Sequence, residues 1–192
     1  MISIAVTGGI GSGKSVVCRV VECMGYPVYD CDSRAKAIMD NNPGILAEIA
    51  KRISTDVIEN GKLNRNKLSS IVFSNPTKLT DLNRIVHSHV RDDIMRWMKI
   101  RSIDSRLVFI ETAILKESEI DLMVDEIWVV HSPEYIRKER LRKFRGIDEQ
   151  EFDRRSNSQN NYSFERCHVI INEPGTPLLP RIESLIAELM QE

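Results

Sequence analysis

Eight residues near the start of the chain, Gly8-Gly9-Ile10-Gly11-Ser12-Gly13-Lys14-Ser15, combine a glycine-rich backbone with one lysine and two serines. The spacing satisfies G-x-x-x-x-G-K-[ST], in which glycines let the backbone curl until its N–H groups point inward at phosphate oxygens. A lysine at position 14 reaches the β- and γ-phosphates, and a hydroxyl at position 15 can ligate Mg²⁺. A turn built only for structure needs neither residue. The helix predicted to follow adds free N–H groups and the positive end of its dipole.

A second group is Asp30 and Asp32. Alternate residues of a strand face one side, so both are expected to face the phosphate loop, although Asp32 is also placed to cap the next helix. A carboxylate there would orient or accept the proton of a hydroxyl under phosphorylation, which makes Asp32 the candidate base. A third is the basic run Arg137, Lys138, Arg140, Arg142, Lys143 and Arg145, with Arg154, Arg155 and Gln159 beyond it. Migrating phosphate spreads negative charge that arginines stabilise, and a helical lid excludes water. Arg140, Arg145 and Arg155 are the candidates within that lid. Glu111 ends an apolar run, where an acid can hold Mg²⁺ through water or cap the following segment. His87 and His89 stand two apart on a predicted helix and make a poor metal pair. His87 is a candidate substrate contact.

The elements that must position these residues follow from periodicity. Ile2–Thr7 reads as a strand and 14–24 as a helix, which Gly25 is placed to stop. Pro27-Val28-Tyr29 (ending at Asp30-Cys31-Asp32), Leu107–Ile110, the run 125–130 and Val169–Ile171 read as further strands. Apolar runs alternating with helices predict a parallel α/β sheet, whose ligands bind beyond the carboxyl ends of the strands. Residues 33–101 read as almost purely helical, broken at 40–44, 59–61 and 74–76. Ser132-Pro133-Glu134 reads as an N-cap, a first-turn proline and an early acid opening the basic helix. The organisation expected is a core of 1–32, 102–132 and 161–192, a helical substrate lobe of 33–101 and a lid of 133–160.

Bulk properties narrow the class. The chain has 192 residues, 42% hydrophobic and 29% charged, with a formal net charge of −1. That balance argues against general nucleic-acid binding. Cys18, Cys23, Cys31 and Cys167 form no zinc-type spacing and read as reduced thiols. With no signal peptide in view and no apolar run approaching the ~20 residues that span a bilayer, no membrane partner and a cytoplasmic location are expected. A monomer is the favoured reading. A guanine-binding switch would carry N-K-x-D, but Asn66-Lys67 is followed by Leu68-Ser69. These residues alone leave open a kinase for any small hydroxyl or nucleotide acceptor.

The chain resembles the dephospho-coenzyme A kinases over essentially its whole length. Val6-Thr7-Gly8-Gly9-Ile10-Gly11-Ser12-Gly13-Lys14-Ser15 is similar to the family's loop, double glycine included. Asp30-Cys31-Asp32 stands at its D-A-D position. Leu82-Asn83-Arg84-Ile85-Val86-His87 is similar to a segment ending in His-Pro, with Ser88 in place of the proline. Val169-Ile170-x-Asn172 precedes Gly175 as in the family. Ala113-Ile114-Leu115-Lys116-Glu117, Arg155-Ser156 and Cys167-His168 depart from its pattern. The resemblance implies a P-loop NTPase fold, a five-stranded parallel sheet flanked by helices with a helical substrate-binding insertion and a helical lid. It implies ATP-dependent phosphorylation of the ribose 3′-hydroxyl of dephospho-coenzyme A, with two small-molecule substrates. It also implies that Gly11, Ser12, Gly13, Lys14, Ser15 and Val16 hold ATP and Mg²⁺, with Arg140 and Asn172 on the nucleotide side. Asp32 would face the accepting hydroxyl, with Asp30 and His87 toward the substrate and Arg140 on the transferring phosphate.

Overall fold

The computed structural model describes residues 1–157, 164 and 167–191. The chain divides into two compact units, Met1–Asp30 with Arg101–Glu192, and Cys31–Ile100.

The first unit is built on a five-stranded parallel sheet of order β2-β5-β1-β6-β7. Its strands are β1 (Ile2–Thr7), β2 (Val28–Asp30), β5 (Leu107–Glu111), β6 (Glu126–His131) and β7 (His168–Ile171). Among the described residues its complete α-helices are α1 (Lys14–Cys23), α6 (Glu134–Arg145), α7 (Glu149–Asn157) and α8 (Leu178–Gln191). Near-continuous apolar strands suit a parallel sheet covered on both faces, and Ile4, Ala5, Val6 and Leu107 to Ile110 are fully buried. Val17, Cys18 and Val21 of α1 and Ile182, Leu185, Ile186 and Leu189 of α8 pack with Ile4, Val6, Phe109 and Trp128. The Phe109 and Trp128 rings meet edge to face at 5.1 Å. Truncating such a buried aromatic costs about 3–5 kcal/mol.

Gly25 ends α1 as expected, at φ +94°. Tyr26 N–H donates to Val21 O at 3.1 Å and Gly25 N–H to Glu22 O at 2.9 Å, the paired bonds of a Schellman stop. The start of α6 differs from expectation. Pro133 is itself the cap residue, and no side chain caps the helix. The Ser132 hydroxyl instead accepts from Arg140 Nη1 at 3.3 Å, a tertiary bond that the local pattern does not show.

The second unit holds α2 (Cys31–Asn41), α3 (Pro43–Arg52), α4 (Arg65–Phe73) and all but the last residue of α5 (Pro76–Arg101). Its core is Ile45, Ile49, Ile53, Val57, Leu68, Val72 and Ile85. Pro43 opens α3, and the Asn42 side chain accepts from Gly44 N–H at 2.8 Å, a proline-after-cap start. The unit is not helical throughout. Ile58–Glu59 (β3) and Lys62–Leu63 (β4) pair antiparallel. Asn60 and Gly61 turn between them at φ +51° and +73°, the left-handed pair that a two-residue hairpin requires.

Strand β2 ends at Asp30 and α2 begins at once with Cys31. Asp32 therefore lies in the first turn of a helix, and strand alternation does not apply to the aspartate pair.

Candidate active site

The phosphate loop leaves β1 at Thr7 and enters α1 at Lys14. Two of its glycines are compelled by their surroundings. A Cβ on Gly8 would stand 2.3 Å from the Val130 carbonyl oxygen, and one on Gly13 would stand 2.0 Å from Asn172 Nδ2. Gly13 also adopts φ +97°, ψ +29°, and no side chain caps α1. The helix's first N–H groups thus open toward the loop. Ser12 N–H donates to Gly9 O at 3.1 Å, which closes the turn. Lys14 Nζ donates to Gly8 O at 2.9 Å and Gly9 O at 3.4 Å. Ser15 and Val16 are exposed on the first turn of α1.

A polar bracket backs the loop. Asn172 follows β7, and its N–H donates to His131 O at 2.8 Å, extending the β6–β7 ladder by one bond. Its side-chain N–H donates to Ser12 O at 2.7 Å. Arg140 Nη2 donates to Asn172 O at 3.1 Å and Oδ1 at 3.3 Å. Arg140 Nη1 donates to Ser12 O at 3.4 Å and Ser132 Oγ at 3.3 Å. The two residues assigned to the nucleotide side from the sequence are thus bonded to each other and to the loop.

Arg137, one turn before Arg140, was not singled out within the basic run. Its Nη1 donates to Ile10 O at 3.4 Å, and its guanidinium lies 5.3 Å from the centre of the buried Phe152 ring. It borders a cavity of about 250 Å³ together with Gly8, Gly9, Ser12, Ser132 and Glu117. Spacing offered a signal, because residues three apart on a helix share a face. Lys138 joins α6 to α7 through Glu149 at 2.9 Å and Asp153 at 3.2 Å, and pairs with Glu134 within α6 at 3.0 Å. Those carboxylates, Glu149 first, hold its ammonium well above the usual lysine range.

Glu111 closes β5, in register with Asp30 on β2 and Val6 on β1. The Cys18 thiol, one turn beyond Lys14, is hydrogen-bonded to it. Burial, and then the Glu111 carboxylate, push that thiol far above its ordinary range. Cys18 is therefore a packed, protonated group, as its place on α1 suggested.

The remaining candidates fall elsewhere. Asp32 is exposed in the first turn of α2, and His87 is half-buried on α5, both in the second unit. Arg145 stands exposed in the last turn of α6. Arg155 lies on α7, and Gln159 lies outside the described residues. Among the described residues no group of three or more His, Cys, Asp or Glu side chains could hold a metal ion. No helix among them is long and apolar enough to cross a membrane.

A parallel sheet with β1 at its centre, a glycine loop from that strand into a helix, and a lysine on the loop carbonyls define a P-loop nucleotide-binding enzyme. Comparison narrows the class. The sequence model of one family, described as dephospho-CoA kinase, matches residues 2–175. A dephospho-CoA kinase of Porphyromonas gingivalis is 37% identical over 190 residues, covering 97% of this chain and 93% of that protein. A crystal structure from Thermus thermophilus aligns with a TM-score of 0.79 at 29% identity, covering 99% of this chain and 97% of that one. Dephospho-CoA kinase from Campylobacter jejuni aligns with a TM-score of 0.64 at 22% identity, over 99% and 96%, a likeness of fold. The chain belongs to the dephospho-CoA kinase family. It is a kinase, an enzyme that transfers phosphate to a hydroxyl group.

Proposed function

We propose that this protein phosphorylates the ribose 3′-hydroxyl of dephospho-coenzyme A at the expense of ATP, giving coenzyme A and ADP. The observation that carries the reading is the whole-chain family match in a chain whose phosphate loop is built and braced as described. Residues Gly11 to Val16 cradle the triphosphate, with Lys14 on its β- and γ-phosphates. Arg140 and Asn172 border the nucleotide and hold the loop in shape while charge develops on the transferring phosphate, since a preorganised donor array need not rearrange during reaction. Asp32, supported by Asp30, accepts the proton of the attacking hydroxyl. His87 contacts the acceptor within the helical lobe of 33–101, and the helices of 133–160 serve as the lid.

The residues fit Mg²⁺. Its donors are hard oxygens, and it keeps several waters and leans on substrate phosphates rather than on a protein cage. The exposed Ser15 hydroxyl and the Glu111 carboxylate at the end of β5 supply that kind of set. When bound, the ion neutralises charge on the β- and γ-phosphates. The protein is read as a cytoplasmic monomer; among the described residues Cys18, Cys23, Cys31 and Cys167 form no disulfide, which suits a reducing compartment.

The test is a panel of acceptors, among them dephospho-coenzyme A, adenosine, AMP, shikimate and gluconate, with the product identified by ³¹P NMR. A new 3′-phosphomonoester on dephospho-coenzyme A, and no product from the others, supports the reading. Preference for another acceptor overturns it.

A further inference from the structure

The basic helix α6 carries two arginines toward the phosphate loop, and they differ in one respect. Arg140 has four hydrogen bonds to Asn172, Ser12 and Ser132. Among the described residues Arg137 has one, to Ile10 O at 3.4 Å, although a guanidinium offers five N–H donors. Its Nε is buried without a partner among the described residues, and so is Ser12 Oγ. Both residues border the cavity walled by Gly8 and Gly9.

Buried donors without acceptors are costly, and more so when they carry charge. The chain nevertheless holds Arg137 firmly. Its guanidinium lies over Phe152, which is 1% exposed, and Gly11 packs so closely that a Cβ there would stand 3.0 Å from the Arg137 carbonyl oxygen. A cation fixed with spare donors beside a phosphate loop suits an anion. The loop itself indicates which phosphate. Lys14 Nζ is bonded to the Gly8 and Gly9 carbonyls, and the lysine of this motif serves the β- and γ-phosphates. The Gly8–Gly9 wall therefore marks the terminal-phosphate end.

We propose that Arg137 is a further phosphate-contacting residue of this kinase, donating to the terminal phosphate of ATP from its seat on Phe152. This rests on the ATP-dependent reading above. Arg137 then distinguishes ATP from ADP, whereas Arg140 and Asn172 shape the loop for both.

Calorimetric titration of ATP and of ADP into wild-type protein, Arg137→Gln and Arg137→Lys tests this without an acceptor. In Arg137→Gln, loss of one charge-assisted contact should weaken ATP roughly tenfold or more and leave ADP within about twofold of wild type. Arg137→Lys keeps a point charge without the guanidinium fork and should fall between. Equal weakening of both nucleotides assigns Arg137 a structural role and overturns the proposal, as does no change in either. If Arg137→Gln does not fold, the ATP-to-ADP ratio of Arg137→Lys decides by the same criterion. Wild-type protein that binds neither nucleotide contradicts the functional reading itself. Wild-type protein that binds both, with variants that do not discriminate between them, sinks only the role of Arg137.

Discussion

The side-chain amide of Asn172 donates to the Ser12 carbonyl at 2.7 Å, tying the end of the last strand to the phosphate loop that follows the first. The contact leaves no room for a methyl group on Gly13, whose Cβ would stand 2.0 Å from Asn172 Nδ2. Loop conformation is therefore set from 160 residues away in sequence. Asn172→Ala removes the amide donor to the Ser12 carbonyl and the Oδ1 acceptor of Arg140 Nη2. The expected cost is about 1–3 kcal/mol, read as a drop of several degrees in Tm, with weaker ATP binding. Gly13→Ala should lose ATP binding more completely, because it meets both the clash and the φ of +97°. Retained affinity in Gly13→Ala would contradict the bracket's role.

Lys14 and Asp32 should fail in different ways. Lys14→Ala removes the cation that reaches the phosphates, so ATP affinity and turnover fall together. Asp32→Asn removes a proton acceptor from the acceptor side. Its turnover should fall roughly 10²–10⁴-fold, while the ATP dissociation constant stays at the wild-type value. Steady-state kinetics and nucleotide titration on the two variants check the contrast, and normal turnover in Asp32→Asn would remove its assigned role.

Cys18 predicts a pH dependence of stability. Its thiol is raised above the ordinary value of 9.0 by burial, then by Glu111. Above that pH the unfolded chain releases a proton that the native state retains. The thiol's contribution is thus fully present below pH 9.0 and is lost as pH rises beyond it. Urea titrations from pH 8 to 10.5 should show the wild type losing up to about 1.4 kcal/mol per pH unit above that point relative to Cys18→Ala. Parallel profiles for the two proteins would contradict it.

Much of this was legible in the sequence where local chemistry demands particular residues. Gly8, Gly13 and Lys14 announce a loop because few other residues reach its backbone conformations or its phosphates. Gly25 and the Asn42-Pro43 pair mark helix ends for equally local reasons. The hairpin of Ile58–Leu63 was missed because strands of two residues show no alternation; Asn60-Gly61 was its only signal. Ser132 matched a capping pattern, yet its hydroxyl answers to Arg140, a partner visible only once α6 is folded. The basic run similarly conceals which arginine is spent and which is spare. Arg140 is bonded to the bracket and Arg137 rides on Phe152, a distinction that tertiary packing alone creates. For Asp32 the sequence offers both strand alternation and a helix cap; the chain turns into α2 one residue earlier, at Cys31, so Asp32 stands in the first turn of the helix.

The rate of ADP formation from ATP and Mg²⁺, measured with and without dephospho-coenzyme A, tests the central claim most directly. ADP should appear in step with coenzyme A when the acceptor is present and stay near background when it is absent. Slow ADP release indifferent to dephospho-coenzyme A, from folded and ATP-binding protein, would contradict it.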